Sequence, residues 1–126
     1  MIRKTLILTA LYGALAVILG ALSAHALKNS LSDYDLSNFK TAVFYQIIHV
    51  IAILAINAYP QFPKVMKTMI SHTFLTGITL FSGSIYLISL HWLSAASIWW
   101  LTPVGGVLLI TGWLMLAFAL YKVKAD

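Results

Sequence analysis

Long apolar runs, broken only by short charged patches, constrain this chain more than any other feature. From Thr5 to Leu27 there is no Asp, Glu, Lys or Arg. A second run reaches from about Thr41 to Tyr59 and stops at Pro60. A third extends from about Thr68 to Leu90, and a fourth from about Pro103 to Tyr121, with Ile98, Trp99, Trp100 and Leu101 leading into it. A helix rises ~1.5 Å per residue, so about 20 apolar residues cross the hydrocarbon core of a bilayer. In lipid each such run must satisfy its own backbone N–H and C=O groups, which selects the helix. The expectation is an all-α, single-domain integral membrane protein, a four-helix bundle of 126 residues. Composition agrees: 61% of residues are hydrophobic and only 9% are charged. Soluble domains carry about 25% charged residues, and so apolar a chain would have no polar surface to offer water.

The charges set an orientation. Arg3, Lys4, Lys64, Lys67, Lys122 and Lys124 fall on one side of the expected membrane, and only Lys28 and Lys40 on the other. The positive-inside rule places the first side, with both termini, in the cytoplasm. Trp92, Trp99 and Trp100 then form an outer aromatic belt, with Tyr59 and Tyr121 at the inner interface. A net charge of +5 is accounted for by these interfacial positions, so the lipid bilayer and not nucleic acid is the expected partner. Arg3-Lys4, an apolar run and Ala24-His25-Ala26 resemble a signal peptide with its cleavage site, but the run is longer than the 7–15 residues of a signal core. The chain has no cysteine, which excludes disulfides, thiolate chemistry and cysteine-ligated metals.

Two sets of residues stand out within the runs. Gly13, Ala16, Gly20 and Ala24 in the first helix, with Gly83 in the third and Gly105, Gly106 and Gly112 in the fourth, are candidates for close helix approach. Their expected role is packing within the bundle, with a self-association seam as the alternative. The second set is polar. Side chains such as His, Gln, Ser and Tyr are costly at membrane depth and turn toward partners inside a bundle. Counting along the helices places His49 roughly 12 Å, Ser82 and Ser84 roughly 9–12 Å, and His25 about 3 Å below the outer edge. His25, Tyr45, Gln46, His49, Ser82, Ser84, Tyr86 and Thr102 therefore form one expected layer in the outer half. His72 stands alone in the inner half. The layer has two readings: a hydrogen-bonded packing layer, or a cavity around His49 that binds a small ligand, a quinone or a lipid.

Chemistry beyond binding has little support. The only acids are Asp33, Asp35 and Asp126, all outside the apolar runs, so paired-carboxylate catalysis within the membrane is excluded. Ser82-Gly83-Ser84 lacks the pattern of a nucleophile elbow. His25 and His49 as axial haem ligands would differ in depth by roughly 9 Å, which is poor geometry for one iron. No catalytic residue, cofactor or metal is expected.

Four ordered motifs carry a resemblance. They are Gly20-Ala21-Leu22-Ser23-Ala24-His25-Ala26-Leu27; Phe39 to His49 with Thr41, Tyr45 and Gln46; Leu80 to Tyr86; and Thr102-Pro103-Val104-Gly105-Gly106 followed by Gly112-Trp113. Together they resemble the small bacterial inner-membrane proteins grouped as domain of unknown function 423, the YgdD/YwdK-like proteins, with eukaryotic relatives of the transmembrane protein 256 type. Ser23 departs from the glycine frequent there in the family. The resemblance implies a four-helix plasma-membrane protein without a settled activity. The expected role is an accessory or scaffold protein acting through intramembrane helix contacts, with a larger membrane complex or self-association as partner. Binding or transport of a small ligand, quinone or lipid through an outer-half cavity around His49 is the alternative, and a haem-binding respiratory module the third reading.

Overall fold

The structure, a computed structural model, describes residues 2–123. Lys124 and Asp126 of the charge count lie outside the described residues. The elements are α1 (Ile2–Ala24), α2 (Asp33–Ala58), α3 (Lys64–Ser89), the single turn α4 (Ala95–Ile98) and α5 (Leu101–Lys122), with no strand among the described residues. Helices α1, α2 and α5 are long and apolar enough to cross a membrane. Helix α3 has the length, at 26 residues, but its Ser, Thr and His residues interrupt it, and its most apolar stretch is less apolar than those of the other three.

Helix α3 is the central one. It packs along α5 and α2 and touches α1, whereas α1 rests mainly on α2. Its buried residues include Ser71, Ser82, Ser84 and Ser89 beside Ile70, Phe74 and Ile78. The apolar core gathers Ile53, Ile56, Ile70, Phe74, Ile78 and Leu109 from α2, α3 and α5. The outward faces of α1 and α5 are the reverse: Val17, Ile18, Val107 and Leu114 are all more than half exposed. A helix apolar on all sides belongs where its outer face meets lipid or another helix.

The helix ends differ from expectation for local reasons. Helix α2 begins at Asp33, eight residues before Thr41, because Ser32 caps it by accepting from the Asp35 N–H. Asp33 and Asp35 in the first turn add favourable charge at the positive end of the helix dipole. Helix α3 closes in a Schellman motif, with the His91 N–H on Ile88 O and the Trp92 N–H on Leu87 O. His91 occupies the left-handed position that favours glycine, at φ 56°. There its Nε2 lies 2.9 Å from Asp35 Oδ2, tying the end of α3 to the start of α2. Helix α5 begins at Leu101, two residues before Pro103. Pro103 sits in the first turn, where its missing N–H has no intrahelical partner to lose.

The closest helix approach is between α3 and α5, and Gly77, absent from the small-residue set above, is central to it. A Cβ on Gly105 would fall 2.8 Å from Phe81 Cα and 2.9 Å from Gly77 O. A Cβ on Gly77 would meet Leu109, and one on Gly112 would meet the Phe74 ring. Residues 105, 109 and 112 form one face of α5, and 74, 77 and 81 one face of α3, so bulk on each helix sits over glycine on the other. The first-helix stripe is real but looser. Space for an alanine exists at Gly20, whose Cβ would lie 3.5 Å from Val43, less so at Gly13, 3.2 Å from Val50. Ala16 is buried, but Ala24 is exposed at the end of α1, and a Cβ on Gly83 would meet nothing within 4 Å. Ala24 and Gly83 are therefore not packing residues, because both face away from neighbouring helices. Gly106 has only ordinary contact with Phe81. Gly20→Leu is expected to lower the thermal midpoint in detergent, since a leucine overfills the α1–α2 contact by ~1–3 kcal/mol. Gly83→Ala should leave it unchanged or raise it, because alanine favours helix by ~0.5–1 kcal/mol where nothing clashes. Equal midpoints for Gly20→Leu and wild type would show that α1 is not held against α2.

Candidate functional site: a polar network at membrane depth

The polar layer centres on Gln46, which has 2% of its surface exposed. Its Nε2 donates to Tyr12 O at 2.7 Å, and its Oε1 accepts from the Tyr86 hydroxyl at 2.7 Å. One amide thus joins α1, α2 and α3. One turn deeper, His49 is 3% exposed and reaches α5. Trp113 Nε1 donates to His49 Nε2 at 3.0 Å, and His49 Nδ1 lies 2.6 Å from Tyr45 O. An indole nitrogen only donates, so Nε2 is the acceptor and the ring proton sits on Nδ1, shared with the Tyr45 carbonyl. Phe74 and Trp113 pack against the same imidazole, with ring centroids 5.1 and 5.8 Å away.

Two further bonds close the layer toward its outer end. Ser82 Oγ donates to Ala42 O at 2.8 Å. Ser84 gives its proton to Phe81 O, so the 2.6 Å contact with Thr102 is a bond donated by the threonine. Among the described residues every fully buried side-chain nitrogen or oxygen has a partner.

Seven of the eight polar residues named from sequence take part, and His25 does not. His25 is exposed in the turn after α1 and is not brought to His49. Tyr45 contributes chiefly its backbone carbonyl and a ring packed on Phe81, with 40% of its surface exposed. His49 lies enclosed, with both ring nitrogens engaged, and no cluster among the described residues has the groups to hold a metal ion. Nor is His72 alone: its Nε2 lies 3.1 Å from Thr5 Oγ1. Sequence reasoning missed Tyr12 and Trp113. Tyr12 enters through a main-chain carbonyl, which no residue pattern reveals. Trp113 did carry a signal, as an indole N–H far from the aromatic belt that needs an acceptor.

Helices that bury their polar groups against one another and leave apolar faces outward define a helical membrane protein. The family model described as protein of unknown function (DUF423) matches residues 19–106. The chain belongs to this family. A UPF0382 membrane protein of Haemophilus influenzae is 38% identical over 123 residues, covering 98% of each chain. One from Staphylococcus saprophyticus is 38% identical, covering 94% of this chain and 97% of its own. The UPF0382 inner membrane protein YgdD of Escherichia coli K12 is 34% identical, over 97% of this chain and 92% of its own. No solved structure matches.

Proposed function

We propose that the protein crosses the inner membrane four times with both termini cytoplasmic, and serves as an accessory or scaffold protein through helix contacts in the bilayer. It performs no catalysis and carries no cofactor. The observation that carries this reading is the inward turn of the polar groups. Gln46, His49, Tyr86 and Trp113 satisfy one another. The outer surfaces of α1 and α5 are left apolar, with Val17 at 66% and Val107 at 62% exposure. A protein with a filled polar interior and apolar flanks acts on neighbours through its flanks. The central position of α3 supports the fourth span, since neighbouring helices shield its serines from lipid. The enclosure of His49 removes support from a cavity there.

The chain contains no cysteine, so single cysteines report topology directly. A membrane-impermeant maleimide on intact cells should label Ser30→Cys and Ser94→Cys, and should label Gln61→Cys only after permeabilisation. Labelling of Ser30→Cys alone from outside, with Gln61→Cys and Ser94→Cys both protected, would show that α3 does not span. The reverse pattern would invert the orientation. A photo-crosslinker at Val17 or Val107 should yield a discrete protein adduct in native membranes; adducts with lipid alone at both positions would overturn the accessory role.

A further inference from the structure

The α1–α3 seam is open along the half that begins at Arg3 and Lys64. The two helices run parallel: Thr5 bonds His72, and Tyr12 OH bonds Thr79 Oγ1 at 2.8 Å. Two recesses follow one another along this seam. The first, of about 660 Å³, lies at the helix starts and is lined by Ile2, Arg3, Lys64, Val65, Thr68 and Met69. The second, of about 480 Å³, continues beside Lys4, His72 and Thr76, between the apolar walls of Leu8, Leu75 and Leu80. Successive α3 residues 64, 68, 72, 76 and 79 lie on one face of that helix, so both recesses share a wall.

The charges are one-sided. Arg3, Lys4 and Lys64 line the recesses, no carboxylate does, and among the described residues none of the three is paired with an acid. Lys67 is different: it turns toward α2 and donates to Asn57 O at 2.9 Å, near that helix's negative end. Asp33 and Asp35 stand at the start of α2, the opposite end of the molecule. A second copy of the chain at this seam would set like charge against like. The geometry points instead to an anionic phospholipid of the cytoplasmic leaflet, its phosphodiester held by Arg3, Lys4 and Lys64 and one acyl chain laid along Leu8, Leu75 and Leu80. From Lys64 to Thr79 the helix rises about 22 Å. Half a hydrocarbon core is about 15 Å, so the groove matches one headgroup and one chain. His72 and Thr76, about 12 and 18 Å beyond Lys64 along the helix, lie beside the acyl chain, below the glycerol esters. Basic pockets between membrane helices on the cytoplasmic side bind anionic headgroups by this chemistry.

The leaflet assignment rests on the orientation proposed above, whereas binding itself does not. The test is native mass spectrometry of the full chain released from nanodiscs of phosphatidylcholine with and without phosphatidylglycerol. Wild type should retain phosphatidylglycerol in preference to phosphatidylcholine. The Arg3→Gln/Lys4→Gln/Lys64→Gln variant, altered only at exposed positions, should lose affinity by roughly a hundredfold, at ~1 kcal/mol per charge. The Lys28→Gln/Lys40→Gln variant, altered at the other end, should retain wild-type affinity. Equal retention of both lipids, or wild-type retention by the triple variant, would overturn the site. Release of phosphatidylglycerol by inorganic phosphate at matched headgroup concentration would overturn the lipid as its source. Cysteine labelling separates the two proposals: lost binding with termini inside sinks this site alone, and retained binding with termini outside overturns the leaflet and the orientation but supports the groove.

Discussion

Gly105→Ala should destabilise the protein by ~3 kcal/mol or more, the largest effect expected of any single methyl group in the chain. In an exposed helix the same change stabilises by ~0.5–1 kcal/mol, so the sign itself is diagnostic. The added Cβ would press on the α3 backbone, 2.8 Å from Phe81 Cα and 2.9 Å from Gly77 O. A flexible side chain could rotate away from such contact, but the main chain of a central helix cannot. Relief requires α3 and α5 to separate, which opens the packing of Leu109 over Gly77 and of Phe74 against Gly112. Overpacking of a filled core costs 1–3 kcal/mol, and more where backbone must move. Gly106→Ala is the matched control, because its Cβ would make only ordinary contact with the Phe81 ring, at 3.7 Å. Detergent unfolding followed by circular dichroism should separate the two neighbours clearly. Indistinguishable midpoints would mean that α3 and α5 do not meet at Gly105.

How far the sequence could be read follows from what each feature depends on. Apolar runs report helices because lipid leaves the backbone one solution, and four runs became α1, α2, α3 and α5. Depth counting brought Gln46, Ser82, Ser84 and Tyr86 to one level, because rise per residue is nearly constant along a helix. It failed for His25, which lies beyond the helix end, where rise no longer applies. The start of α2 was hidden because Asp33 and Asp35 look like loop, although Ser32 before them is a capping residue whose hydroxyl also bonds Asp35. Rotation about each helix axis was harder still. Gly83 and Gly105 look alike in the sequence, yet only Gly105 faces a backbone. The α1–α3 groove was not legible at all. Arg3 and Lys64 read as orientation signals, and only the parallel placement of two helices separated by α2 brings them to one recess.

The second large effect lies in the polar layer, where Gln46→Leu should cost about 2 kcal/mol. Leucine nearly preserves volume, so the loss is one of hydrogen bonds and not of packing. Tyr12 O keeps its place in the α1 ladder, but the Tyr86 hydroxyl loses its acceptor in a half-buried site. Hydrogen bonds between membrane helices are worth only ~0.6 kcal/mol on average, because an unfolded chain also finds partners. A donor left without an acceptor costs more, ~1–3 kcal/mol, and that asymmetry makes a sharp experiment possible. Tyr86→Phe alone strands the Gln46 carbonyl oxygen and should cost ~1 kcal/mol or more. The double variant Gln46→Leu/Tyr86→Phe strands neither group and should be more stable than Gln46→Leu alone. The cycle should therefore give a coupling energy of ~1–2 kcal/mol. Strict additivity would mean that the two side chains do not bond in the bilayer. Such a result would also remove the link by which one amide holds α1, α2 and α3 in register.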